Sequence, residues 1–492
     1  MAVTRTSARA RIRLVRRSHL RSGAVLAAAG LGVAVTAAAE WTFEPAAELR
    51  TVATDNVQLQ GDGEEQSDLV GVLNPSFSLR REDDTLNIGL DYSLEAVGYL
   101  ETDGANQIFQ QINGGLDASL LGDHLLINLG GALFQQVADP SNPFINNNVA
   151  VTGNRTDTVN LDGTVTWQQS FGDFADFSVS HSESRFDFDL PQLIDTDASS
   201  SNFRLANPES GQGITWSLTG SLDRIEFSND IPEAEFSTLL AEVGYWATPN
   251  LRAFVNSGVE SDFLEHRSEI DYDTFIWTAG FDWSVADRDQ LTVSYGRRVF
   301  GGNFNFSWLH RLGEKLEVSV DYQESPSTNP QSARLQIRSF ADRESLEALS
   351  NLVGLDRPSS ADSFVRRRLT AGIRADGNRL DFGVSAYYER RTDRVNPLGL
   401  ELDVDDEEAE GGRAYVRWDV GVRTQLNADI NWEQAQFLGA GEVERFTTAL
   451  GVDYSLGSNT DITFEYRYFD GGSPTQGFIE NRLTLTLGRR FQ

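Results

Sequence analysis

The feature that most limits what this chain can fold into is a period of two in its apolar residues, sustained from Trp41 to the end of the sequence. Leu86, Ile88, Leu90, Tyr92 and Leu94 alternate with Asn87, Gly89, Asp91, Ser93 and Glu95. The same alternation puts Phe275, Trp277, Ala279, Phe281, Trp283 and Val285 on one side of a mid-chain segment. It does so again for Leu380, Phe382, Val384, Ala386 and Tyr388, and for Leu483, Leu485, Leu487, Arg489 and Phe491. Successive side chains of a strand point to opposite faces, so each segment reads as a strand with one apolar and one polar face.

A soluble sandwich has the same alternation, and length and punctuation separate the two. Soluble strands average about five to six residues, whereas a tilted strand needs about nine to eleven to cross a bilayer. The segments here are of the longer kind. Tight connections at Arg81–Asp84, Leu121–His124, Phe171–Phe174, Ala247–Asn250, Arg311–Lys315, Ala375–Asn378 and Leu456–Asn459 alternate with long polar loops. The loops are Asp55–Ser67, Asp139–Gly153, Leu190–Ser201, Ser325–Ser363, Thr392–Gly412 and Asp470–Gly477. Short turns at one end and long loops at the other are the asymmetry of an outer-membrane barrel. Tyr245, Trp246, Trp283, Tyr295, Trp308, Tyr466 and Tyr468 sit near strand ends, as interfacial girdles require. The expected fold is all-β: a transmembrane antiparallel up-and-down β-barrel over residues 40–492, with about 22 strands. The number falls to roughly 18 to 20 if the weak segments near residues 198–212 and 303–312 do not pair. No globular domain fits ahead of the first strand, so no plug domain is expected, which leaves a lumen and argues against a siderophore-type transporter.

Residues 1–39 read as a secretory signal peptide. Arg5, Arg9, Arg11, Arg13, Arg16, Arg17 and Arg21 precede an apolar stretch from Ala24 to about Val35 and a small-residue site at Ala37–Ala39. Removing its seven arginines leaves 34 basic against 73 acidic residues, a net charge of −39. That acidity argues against a nucleic-acid partner, and the absence of cysteine removes disulfides, zinc fingers, iron–sulfur sites and thiol nucleophiles.

The polar parity defines an inward face. In the last third of the chain its charges alternate in sign from strand to strand. Arg366, Arg368 and Arg374 are followed by Asp381, then Arg413 and Arg417, then Asp429 and Glu433, then Asp453, then Glu465 and Arg467, and finally Arg490. These twelve are the candidate pore-lining residues: either a charged wall guiding an anionic or polyhydroxylated chain, or a cross-strand ladder that stabilises the wall. Within loop 325–363, Leu346, Leu349 and Val353 fall on one face of an expected helix over Ala341–Val353, with Gly354 as its cap, a lid or constriction if it folds into the mouth.

Loop Glu401–Glu410 holds seven carboxylates in ten residues. Asp403, Asp405 and Asp406 are weak candidates for calcium, but the glycine and spacing of an EF-hand are missing, and no metal or cofactor is expected. A solvated loop bridged to lipopolysaccharide is the plainer reading. The five histidines (His19, His124, His181, His266 and His310) are scattered, with no HExxH, GxSxG or glycine-rich phosphate loop, so no enzyme is expected.

Several segments resemble the outer-membrane β-barrel proteins associated with PEP-CTERM/exosortase exopolysaccharide systems, related to exopolysaccharide secretion porins. The mature start Trp41–Pro45 leads into Thr54–Val57 and Asn74–Pro75. Tyr295–Gly301 (Tyr-Gly-Arg-Arg-Val-Phe-Gly), preceded by Gly258–Glu260, is similar to that family's aromatic-Gly-Arg-Arg-x-Phe-Gly strand end. Leu483–Phe491 closes the chain, although Gln492 follows the terminal aromatic. The resemblance implies a Gram-negative cell outer membrane protein that exports a polysaccharide, assembled by the barrel assembly machinery and working with periplasmic polysaccharide export components. A structural or adhesion barrel, or a general-diffusion barrel with acidic surface loops, is the alternative expectation.

Overall fold

The computed structural model describes residues 41–145, 147–208, 212–229, 231–261, 275–285, 288–329, 360–395, 406–437, 441–473 and 476–491. The signal segment and the expected helix over 341–353 lie outside the described residues.

Among the described residues, 22 strands form one antiparallel sheet. In chain order they are β1 (Trp41–Thr54), β2 (Asp68–Arg81), β3 (Leu86–Tyr99), β4 (Gln107–Leu120), β5 (Leu125–Val137), β6 (Arg155–Ser170), β7 (Asp176–Phe188), β8 (Thr196–Ala206), β9 (Gly213–Phe227), β10 (Ala234–Thr248) and β11 (Leu251–Ser261). They continue as β12 (Phe275–Val285), β13 (Asp289–Arg298), β14 (Gly301–Leu312), β15 (Leu316–Thr328), β16 (Ser363–Asp376), β17 (Leu380–Val395), β18 (Glu407–Gly421), β19 (Thr424–Phe437), β20 (Gly441–Ser455), β21 (Thr460–Ser473) and β22 (Gln476–Arg490). Each strand pairs with its sequence neighbours, and β1 also pairs with β22 from Ala46↔Arg490 to Thr54↔Arg482. That last ladder closes the sheet, so no edge is left with unpaired N–H and C=O groups, the condition for a sheet to exist in lipid. The weak segments pair after all, as β8 and β14: β8 runs beside β7 and β9, and β14 beside β13 and β15.

Register places the apolar parity outside. Leu49 faces Leu73, Phe464 faces Leu485, and Trp283 faces Leu291, and these side chains are exposed or half-buried. Outward aromatics form contiguous rows, as in Phe43–Phe77–Tyr92 with ring centroids 5.6 and 5.5 Å apart. Trp246 departs from the expected girdle: its neighbour Tyr245 is exposed, while the Trp246 indole nitrogen is buried. Among the described residues no helix is long and apolar enough to cross a membrane; the spans are strands.

The two ends of the sheet differ as expected. Short turns close one end, among them the β2–β3 turn, where Asp83 accepts the Thr85 N–H at 2.9 Å and the Thr85 hydroxyl at 3.0 Å. Those bonds hold the Asp83 carboxyl below its ordinary pKa. Long connections leave the other end, and two of them do not stay outside the barrel.

Candidate functional site

Loops 55–67 and 138–154 fold into the long-loop end of the lumen and interlock. The Val151 N–H donates to the Val57 carbonyl at 2.8 Å. Val57 and Val149 pack with Val52, Val70, Val72 and Val97, which the strands turn inward at this level. Leu59, Ile145 and Ala150 pack with Phe469 and Phe478, whose rings stack at 5.4 Å. Burying a valine or leucine side chain contributes about 1.5–3 kcal/mol. These loops therefore hold their positions by the same apolar burial that stabilises a core.

Polar contacts fasten the same loops to well-separated strands. Tyr99 on β3 donates its hydroxyl to the Val149 carbonyl at 2.8 Å, and Asn148 donates its amide to Glu95 on the same strand. Arg155 on β6 donates to the Asn147 carbonyl, and Arg445 on β20 to the Pro140 carbonyl. Loop 55–67 is tied to β22, where the Asn56 amide donates to the Ile479 carbonyl at 2.9 Å.

At the same end of the barrel the wall carries a collar of inward Arg–Glu pairs. Arg50 lies 3.6 Å from Glu95, Arg445 3.6 Å from Glu433, and Arg482 2.8 Å from Glu480. Arg298 donates from Nε to Glu260 at 3.1 Å. The densest group surrounds Glu389, which receives Arg366 at 2.7 Å, Arg368 at 3.0 Å and Arg391 at 2.9 Å. Arg391 and Glu389 are 0 % and 2 % exposed, while Arg366 and Arg368 keep contact with water, and a buried carboxylate is tolerable only with such partners. Arg391 also donates to Asn329 at 2.6 Å and sits 4.3 Å from the Phe364 ring centroid.

Of the twelve residues nominated from sequence, the collar takes in Arg366, Arg368 and Glu433. The others pair locally along the wall. Arg413 bonds Asp429 at 2.7 Å, Arg467 bonds Glu465 at 3.2 Å, and Arg374 bonds Asp376 at 2.9 Å. Arg490 lies 3.7 Å from Asp461, and Arg417 stands 5.7 Å from the Tyr415 ring centroid. Asp381 accepts the Gly377 N–H at 2.9 Å, and Asp453 accepts the Thr463 hydroxyl at 2.6 Å. Asp403 and Asp405 lie outside the described residues, while Asp406 is bridged to Arg390 at 2.8 Å. Among the described residues no group of three or more His, Asp or Glu side chains is placed to hold a metal.

The histidines are dispersed. His124 stacks on Trp167 at 5.9 Å in a turn, His310 bonds Asp289, and His266 lies outside the described residues. His181 accepts or donates at 2.8 Å to the Ser201 hydroxyl and at 3.0 Å to Glu183, on the outer face in register with Val165.

Sequence reasoning missed the inward folding of the two loops and the parts played by Glu95, Arg391 and Glu480; parity set Glu389 and Arg445 inward without finding their partners. The available signal was the apolar content of the loops: Val57 and Leu59 in one, Phe144, Ile145, Val149 and Val151 in the other. Residues of that kind in a solvated loop have no partner, so their presence marks loops that fold back.

No protein-family model matches the chain, and no curated protein matches it. Among solved structures it is similar to the FrpB iron transporter from Neisseria meningitidis, with 8 % identity, a TM-score of 0.45, and coverage of 91 % of this chain and 82 % of that one. It is also similar to the siderophore receptor PirA from Pseudomonas aeruginosa, with 8 % identity, a TM-score of 0.43, and coverage of 93 % and 81 %. A mutant form of the ferric enterobactin receptor PfeA from the same organism gives 10 % identity, a TM-score of 0.45, and coverage of 91 % and 80 %.

Two expectations are corrected. The barrel stands, but the plug-free lumen and the exclusion of siderophore-type transporters drawn from it do not. Loops 55–67 and 138–154 pack into the long-loop mouth against the wall from β20 to β6, so that mouth is not the empty lumen from which the exclusion was drawn. The exopolysaccharide porin reading falls with it, together with its polysaccharide and export partners and the adhesion and general-diffusion alternative. A continuous polymer channel would have to pass through the part of the mouth that loop 138–154 occupies.

Proposed function

We propose that this protein is a gated transport barrel of the outer membrane, which admits a small solute from the long-loop side when loops 55–67 and 138–154 release. The observation that carries this reading is the inward seating of these loops. Loop 138–154 is fastened by hydrogen bonds to β3, β6 and β20, and an apolar cluster seats it. These contacts line one arc of the wall, from β20 across the β22–β1 seam to β6, and they are few and discrete enough to be released together. Reading the protein as a transporter assigns the wall charges a positioning role for the loops and leaves catalysis out. The resemblance to PEP-CTERM-associated barrels is then a likeness of wall segments such as Tyr295–Gly301.

The test is conductance of the purified barrel in planar bilayers, beside a variant in which residues 141–150 are replaced by a short glycine–serine linker. A gated barrel gives a low-conductance wild type and a variant with large, stable openings. Equal conductance in the two proteins refutes the reading.

A further inference from the structure

The inner wall of β10–β14 contains a recess of about 520 Å³, within the range of about 300–1,000 Å³ typical of small-molecule sites. Two adjacent inward rows cross it. One is Asn256–Thr278–Gly296–Asn303, the other Phe254–Gly280–Ser294–Asn305. Neither row carries a charge. Two of the eight positions are glycine and add no side chain to the wall there. A Cβ on Gly280 would lie 2.7 Å from the Phe254 ring and 2.9 Å from the Ser294 Cβ, and one on Gly296 would lie 2.0 Å from the Trp277 carbonyl oxygen.

Charge is present only at the rims, and there it is already matched. Arg252 bonds Asp282 at 3.0 Å, Thr215 at 3.0 Å and also Glu242; Arg298 is held by Glu260. Asn303 and Asn305 are bonded to the wall, through the Glu324 carbonyl at 3.2 Å and to each other at 2.9 Å. The side chains of Asn256, Thr278 and Ser294, by contrast, have no hydrogen-bond partner among the described residues, although Ser294 is 7 % exposed. A neutral amide and two hydroxyls each offer both donor and acceptor capacity at short reach.

We propose that this recess binds a neutral polyhydroxylated solute of mono- to disaccharide size, a proposal that rests on the transport reading and names a cargo class for it. Each ligand hydroxyl donates and accepts, which matches Asn256, Thr278 and Ser294. The edge of the Phe254 ring supplies an apolar surface for C–H groups. An anion or a cation gains nothing from rims whose charges are internally paired, and it loses its hydration on entering.

The test is calorimetric titration of the full chain in detergent micelles, where both ends of the barrel meet solvent, with maltose as probe and citrate and putrescine as the anionic and cationic comparisons. Saturable maltose binding is expected, at least about tenfold weaker in the Asn256→Leu/Thr278→Val double variant, because its hydroxyls then lose their partners. Ser294→Ala is a milder second variant, and heat-modifiable gel migration verifies that each folds. Absence of maltose binding, tighter binding of citrate or putrescine, or unweakened binding in the folded double variant overturns the proposal. Because the titration does not depend on a closed mouth, its failure is distinct from failure of the conductance test.

Discussion

Arg445 on β20 donates to the carbonyl of Pro140, 305 positions earlier in the chain, and its guanidinium lies 4.4 Å from the Phe144 ring centroid. One side chain thus holds the loop by a charge-assisted hydrogen bond and a cation–π contact, while Glu433 on β19 balances its charge at 3.6 Å. Arg445→Ala is expected to free loop 138–154 and raise single-channel conductance severalfold, with the barrel still folded. A folded Arg445→Ala barrel that conducts like wild type would show that this side chain does not latch the loop.

The wall has ion pairs of two kinds, and they differ in energetic weight. Glu389 binds three arginines, of which Arg391 is fully buried, so Glu389→Ala leaves that guanidinium short of a counter-charge and should destabilise the barrel by about 3–5 kcal/mol. Asp376 pairs with Arg374 where both side chains are more than half exposed, and Asp376→Ala should cost less than about 1 kcal/mol. Urea-dependent folding into lipid vesicles measures both. Equal effects would mean that burial does not set the weight of these pairs.

What the sequence made legible follows from what strand geometry forces. A closed barrel in lipid must alternate, so outward residues such as Leu485 and Phe464 and inward ones such as Glu465 were readable from parity alone. The marginal strands β8 and β14 were harder. The polar run Ser199–Ser201 weakens the alternation of one, and Gly301–Gly302 blur the start of the other, and pairing with neighbours on both sides decides them. The mouth was not legible, because the partners of Val57, Ile145 and Val149 are Val97, Phe469 and Phe478, and nothing local ties residues so distant in sequence. The parity also identified Arg366 and Arg368 as inward, yet their convergence on Glu389 depends on side-chain reach across the strand pair.

Gly296 is required by a backbone approach: an added Cβ would meet the Trp277 carbonyl oxygen at 2.0 Å and the Thr278 Cα at 2.6 Å. Gly296→Ala is therefore expected to cost about 1–3 kcal/mol through forced displacement of β12. Gly302, on the next strand, meets nothing nearer than 3.8 Å, the Tyr295 hydroxyl, and Gly302→Ala should be neutral within about 0.5 kcal/mol. Vesicle unfolding midpoints compare them. A Gly296→Ala protein as stable as Gly302→Ala would disprove the packing.

The assignment of inside and outside can be tested with one pair of neighbours on β22. Leu485 is 52 % exposed and stands in register with Phe464 and Thr51, on the face given to lipid. Thr484 stands in register with Glu465 on the opposite face. A guanidinium on the lipid face near mid-membrane costs about 2–4 kcal/mol, because its hydration is lost and no partner replaces it. The same group at position 484 gains Glu465 and the water of the lumen. Leu485→Arg should accordingly destabilise the folded barrel in vesicles by that amount, and Thr484→Arg by less than about 1 kcal/mol. In detergent micelles, whose headgroups adjust to a charge, the Leu485→Arg penalty should shrink, which separates loss of solvation from loss of packing. A larger penalty at 484 than at 485 would invert the two faces, and with them the lumen in which the collar, the loops and the β10–β14 recess have been placed.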